Sequence, residues 1–119
     1  MKYMLLIYGN QELWESFDPA DFEQVVRETE ALQAELKASG EFVGAYGVAD
    51  QIMAKRVHVD DGRTVVTDGP YIEAKEYLGS FDIVDVDSLE RALEIAGRVP
   101  FARIGQVEVR PLMHESDSN

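Results

Sequence analysis

Lys2-Tyr3-Met4-Leu5-Leu6-Ile7-Tyr8-Gly9 is the stretch on which the fold turns. Tyr3 to Tyr8 is apolar without interruption and stops at Gly9-Asn10. The run is too short for an independent helix and rich in aromatic and branched side chains, so it reads as a strand. Alternation puts three large apolar side chains on each face, and both faces need cover. Lys2 before an apolar run has the outward form of a secretory signal, but the run ends short of the ~7–15 residues and cleavage site such a signal requires. No segment approaches the ~20 apolar residues of a membrane span. The expectation is a soluble, cytoplasmic protein.

Working outward, Asp18-Pro19 opens a long helix, with Asp18 as N-cap and Pro19 where its missing N–H costs nothing. Phe22, Val25, Val26, Thr29, Leu32 and Leu36 form its apolar stripe, and Ser39-Gly40 ends it. Phe42 to Val48 reads as a glycine-bent strand. Arg56–Asp60 and Arg63–Thr67 flank Asp61-Gly62, a hairpin signal whose register pairs Asp60 with Arg63, His58 with Val65 and Val57 with Val66. In that register Val57, Val59, Val66 and Asp68 share one face.

Asp68-Gly69-Pro70 is a turn, and Glu73-Ala74-Lys75-Glu76 follows as loop or a single helical turn. Leu78 to Val86 is the next strand. Asp87-Ser88-Leu89-Glu90 starts a second helix, with Asp87 as its N-cap and a stripe of Leu89, Ala92, Leu93 and Ala96. Val107 to Leu112 is the last strand, and His114 to Asn119 is a polar tail expected to fray. Two helices can cover only one face of a mainly antiparallel sheet, so the plan is α+β and ferredoxin-like with an inserted hairpin. Residues 1–113 form one domain, and the uncovered sheet face is expected to meet a second copy.

At 119 residues and 45% hydrophobic content the chain suits a single packed core. A formal net charge of -12 repels phosphate backbones and anionic lipid, which argues against nucleic-acid and membrane partners. With no Cys, thiolate nucleophiles, thiolate metal sites and disulfides are excluded. Neither His58 nor His114 has a second His or Cys at ligand spacing, so no transition-metal site is expected.

Met1 to Gly9, Asp61-Gly62-Arg63-Thr64-Val65-Val66-Thr67-Asp68-Gly69-Pro70-Tyr71, Glu73-Ala74-Lys75-Glu76, Leu78-Gly79, Asp85-Val86-Asp87 and Val107-Glu108-Val109-Arg110-Pro111 together resemble the DGPF-type branch of the YCII-related family, nearly end to end. Tyr71 stands where that motif expects Phe, and Ser80 where Gly is frequent. The resemblance implies a homodimer in which two ferredoxin-like sheets face each other as an α/β barrel. It also implies cofactor-free chemistry by an Asp–His pair in some members, and an association with extracytoplasmic-function sigma factors in others.

Among candidate residues, Asp68 shares the valine face of the hairpin, where desolvation would suit it to general acid–base work, although Asp before Gly-Pro also serves as a turn acceptor. Glu76 is the second catalytic candidate, in a loop just after the turn. Tyr71 is expected to stack on a ligand, and Lys75 or Arg110 to clamp an anionic or phenolic one. His58 falls on the polar hairpin face with Arg56 and Asp60 and is assigned to the surface or a dimer rim. Asp85 reads as a strand-end residue. The expected function is a small-molecule-binding dimer with lyase- or isomerase-like proton transfer, and the alternative is a non-catalytic accessory domain for a sigma factor.

Overall fold

Strand β1 (Lys2–Gly9) takes an interior place in a four-stranded antiparallel sheet, as its unbroken apolar character requires. The computed structural model describes residues 1–116. The sheet order is β2-β5-β1-β6, with β2 at Phe42–Gly47, β5 at Tyr77–Asp85 and β6 at Gln106–Pro111. The hairpin strands β3 (Lys55–Asp60) and β4 (Arg63–Asp68) form a separate two-stranded sheet inserted between β2 and β5. Of the expected polar tail, His114 to Ser116 are exposed and Glu115 pairs with Lys2; residues 117–119 lie outside the described residues.

Helices α2 (Pro19–Ser39) and α3 (Leu89–Arg98) pack on one face of the sheet. Asp18 accepts the Asp21 N–H as N-cap of α2, and Gly40, at φ 82°, closes it in the left-handed conformation that glycine tolerates. Tyr3, Leu5 and Ile7 of β1 meet Val84, Leu32, Leu36 and Ile95 in the core. Leu5, Val84 and Ile95 are wholly buried, and removing each from water contributes about 1.5–3 kcal/mol. Ion pairs from Arg98 to Glu35 and from Arg103 to Glu28 tie the C-terminal part of the helical layer to α2. Arg91 grips Glu41 through two 2.8 Å bonds and holds its carboxyl down at about 2.

Four local expectations are corrected. Ser88 rather than Asp87 caps α3, its hydroxyl accepting the Arg91 N–H. The buried stripe of α3 is Ala92, Ile95 and Ala96, with Leu89 and Leu93 about half exposed, because the two alanines let the helix settle close to the sheet. A short helix α1 (Gln11–Glu15), capped by the Asn10 side chain, follows β1 where no element was expected. The fourth concerns the hairpin. Its register matches the expected one residue for residue, and Asp61 and Gly62 both take positive φ at the turn. Yet Val57, Val59 and Val66 are 60–68% exposed, so among the described residues nothing covers the valine face. The radius of gyration, 16.6 Å against roughly 13–14 Å for a compact chain of this length, reflects the projecting arm.

Helix α1 places Trp14, the one tryptophan of the sequence, over the end of β1, edge-on to Phe101 at 5.3 Å. A Cβ at Gly9 would come within 2.4 Å of its indole. Gly9→Ala is therefore expected to destabilise the protein by about 1–3 kcal/mol, the usual cost of overpacking, and to shift Trp14 emission to the red. Denaturation followed by fluorescence measures both, and wild-type stability with unchanged emission would show that the indole is not seated against Gly9.

Candidate functional site

The helix-facing side of the sheet is set by pairing. Leu5 lies opposite Asp82 and Tyr3 opposite Val84, so period two carries Val84, Asp82 and Ser80 of β5 onto the same side as the core. Asp82 thus stands between Leu5 on β1 and Ala45 on β2, under α2. It lines a cleft of about 230 Å³ walled by residues such as Leu32, Leu36, Phe42 and Val99. Burial alone pushes its carboxyl up to about 6, with no neighbouring cation or hydrogen-bond donor to hold it down.

A second hollow of about 350 Å³ lies beside the first, sharing Ile7, Ser80 and Phe101 in its lining. Its walls are aromatic: Trp14, Phe17, Phe22 and Phe101, with Phe17 and Phe101 edge-on at 6.5 Å. Phe22, expected in the buried stripe of α2, is 53% exposed because it borders this hollow instead of the core. At the rim the Tyr77 hydroxyl donates to Asp50 Oδ2 at 2.8 Å, while Asp50 Oδ1 accepts the Ile52 N–H at 3.0 Å. The Ile52 amide and then the Tyr77 hydroxyl draw the Asp50 carboxyl below its usual range, and the bond to Asp50 with burial raises the Tyr77 phenol above its own.

The candidates read from the sequence lie around this cleft rather than in it. Tyr71, 82% exposed, and Glu76 line an open groove beside Asp50 and Tyr77. Lys75 borders two shallow depressions that also contain Asp50 and Gln51. Asp68 is not desolvated as expected: its side chain is 88% exposed and paired with Lys55, because the hairpin projects from the body. Arg110 lies opposite Met4 on β6, and its side chain is exposed away from both hollows.

His58 is exposed on the hairpin and His114 meets Ser116, so neither histidine is brought to an aspartate in the cleft. Asp85 pairs with the N-terminal amine at 3.2 Å. Among the described residues no group of three or more His, Cys, Asp or Glu is placed to hold a metal ion, and no helix is long and apolar enough to cross a membrane. Asp82 was overlooked in the sequence reading, although it sits two residues from Val84 in an otherwise apolar strand with no basic neighbour.

Comparison with known proteins gives a consistent result. Residues 1–116 match the YCII-related domain. An uncharacterised protein of Rhizobium meliloti is 31% identical over 114 residues, covering 94% of this chain and 92% of the relative. The structure is similar to that of 5-chloro-2-hydroxyhydroquinone dehydrochlorinase from Burkholderia phenoliruptrix in complex with 2,5-dihydroxybenzoquinone, with a TM-score of 0.55 and 15% identity over 97% of this chain and 96% of that one. That likeness is one of fold.

An uncompensated carboxylate inside a fold has a thermodynamic signature. The folded state holds the Asp82 proton more tightly than the unfolded chain does, so the associated stability is fully present below pH ~4 and is lost as pH rises to about 6. With allowance for partial solvent access, Asp82→Asn is expected to stabilise the protein by about 1–2 kcal/mol at pH 7.5 and by almost nothing at pH 4. Thermal unfolding at the two pH values reads this out, and equal effects at both would refute the desolvated carboxyl.

Proposed function

The chain belongs to the YCII-related domain family, and from this premise we propose that it binds a small molecule with a flat, mostly apolar body and acidic hydroxyl or enol groups, on which Asp82 transfers a proton. The observation that carries this reading is Asp82 itself, a carboxylate facing an apolar cleft with neither counter-ion nor donor. Such a group is costly to a fold and useful to a reaction: near neutral pH it is ionised enough to accept a proton and basic enough to draw one. The aromatic walls suit a ring, and they exclude water from one side of it. A protein of similar fold accommodates 2,5-dihydroxybenzoquinone, which agrees with a phenolic or quinone-like ligand here.

In this reading Asp82 removes a proton from a hydroxyl or from a carbon beside a carbonyl, leaving an anion delocalised over the ring. Return of the proton to a different atom completes an isomerisation, and loss of an anion from the neighbouring carbon completes an elimination. Glu76, Tyr71 and Lys75, around the outer groove, are assigned to capture and entry of the ligand. Asp68, paired with Lys55, shares a shallow depression with Lys75 and Asp50, and Arg110 stands further out.

The reading includes a homodimer. Leu6, Phe81, Ile83 and Tyr46 lie on the sheet face opposite the helices, and Tyr46 stacks on Phe81 at 5.3 Å while remaining 55% exposed. Leu6 is already buried within the single chain, and Phe81 and Ile83 are half-buried. Covering this face with a second copy therefore removes chiefly Tyr46 from water and completes the burial of Phe81 and Ile83, each short of the about 1.5–3 kcal/mol of a full burial, before the cost of association. Light scattering should give about twice the 13.4 kDa chain mass. Tyr46→Glu, exposed in the single chain and therefore of little consequence to its folding, should give monomer; a wild type that is monomeric and stable at micromolar concentration would refute the dimer.

Trp14 lines the cleft and provides the binding assay. Hydroquinones, naphthols and hydroxybenzoquinones are expected to quench its emission on titration. Proton transfer should appear as protein-catalysed deuterium exchange at an acidic C–H of the bound ligand, with kcat/KM rising as Asp82 ionises through about pH 6. Asp82→Asn should lower that rate by roughly 10²-fold or more while ligand still binds. Binding with full exchange activity in this variant would remove Asp82 from the chemistry, and binding with no turnover at all would leave the accessory role.

A further inference from the structure

We infer that the cleft takes a ligand longer than a single ring, with one end beside Asp82 and a hydrogen-bond-donating end at the Asp50–Tyr77 pair; this rests on the functional reading above and specifies its substrate class. Three observations lead there. The first is size. A dry cavity of roughly 150 Å³ is enough to hold benzene, whereas here two neighbouring hollows of about 350 and 230 Å³ share Ile7, Ser80 and Phe101 in their linings. One ring would fill one hollow and leave the other to water.

The second is the separation of the polar groups. Asp82 lines only the inner hollow, and Asp50 and Tyr77 line only the outer one. Both Tyr77 and Asp82 belong to β5, five residues apart, which at ~3.3 Å per residue puts their backbones roughly 15 Å apart once the irregularity opposite Ile7 and Tyr8 is allowed for. A monocyclic hydroquinone cannot touch both ends, and a molecule of two linked rings comes close to spanning them.

The third is the hydrogen-bonding sense of the outer end. The Tyr77 hydroxyl proton is committed to Asp50, and the Asp50 carboxylate has used one bond on each oxygen. What remains at this end is acceptor capacity on the Asp50 carboxylate, the second lone pair of each oxygen, since the Tyr77 oxygen already takes a backbone bond from Gln11. It therefore recognises a donor, such as a hydroxyl, an amide N–H or an ammonium. The four aromatic side chains around it supply stacking surface for the ring that carries that donor. Tyr77 and Asp50 are then specificity residues, distant from the proton transferred at Asp82.

Three probes separate the possibilities, each followed by Trp14 emission and by calorimetry: hydroquinone, 4-hydroxybiphenyl and 4,4′-dihydroxybiphenyl. The wild type is expected to bind 4,4′-dihydroxybiphenyl at least about tenfold more tightly than hydroquinone. Tyr77→Phe should weaken 4,4′-dihydroxybiphenyl by about five- to tenfold, the loss of one hydrogen-bonding group, and leave 4-hydroxybiphenyl within about twofold. Asp50→Asn, which keeps an acceptor for the Ile52 amide, should repeat that selectivity. Hydroquinone binding as tightly as the biphenols, or Tyr77→Phe affecting both biphenols alike or neither, would overturn the two-ended ligand and leave proton transfer at Asp82 standing. Failure of all three probes to bind would take both readings down.

Discussion

The antiparallel pairing of β1 with β5 is the constraint on which the remaining structure depends. Leu5 opposite Asp82 and Tyr3 opposite Val84 commit alternate residues of both strands to the helical side. A slip of one residue would turn either Leu5 or Val84, each wholly buried, toward the open face, at a cost of several kcal/mol for the strand that flips. The same register carries Asp82 inward, so hydrophobic energy from the flanking residues holds a carboxylate where water would not choose to leave it. The site is a by-product of core packing in which one residue breaks the apolar pattern.

The surrounding architecture keeps that position open. Small residues Ala92 and Ala96 bring α3 close to the sheet at one end, and the bidentate Arg91–Glu41 pair fixes α3 to the start of β2. At the other end Trp14, Phe17 and Phe22 stand around a hollow instead of closing it. The hollows lie where the lining changes from the aliphatic Leu32 and Leu36 to the aromatic Trp14, Phe17 and Phe22.

Where local chemistry decides, the sequence was a reliable guide. Asp61-Gly62 dictated the hairpin register, Asp18-Pro19 the start of α2 and Gly40 its end, and the ferredoxin-like order followed from the sum of elements. Helix α1 escaped notice because five residues are too few to show a period. The choice of Asp68 rested on the assumption that three valines in a row on one face are covered, and only the tertiary structure shows the hairpin standing clear of its own body. Asp82 is legible by counting two residues back from Val84, a carboxylate in the middle of a strand rather than in a turn or loop. Tyr77 and Asp50, 27 residues apart, meet only in the folded chain.

The sheet order also governs when the chain can fold during its own synthesis. Strand β1, apolar on both faces, is made before either of its hydrogen-bonding partners, which lie far along the sequence: β5 ends at Asp85 and β6 at Pro111. At roughly 5–20 residues per second of translation, the most hydrophobic segment waits on the order of several seconds beside the ribosome before a partner strand is complete. The hairpin and α2 need only local contacts and form in that interval. The nascent protein thus carries its future core strand unpaired until β5 and then β6 complete the sheet.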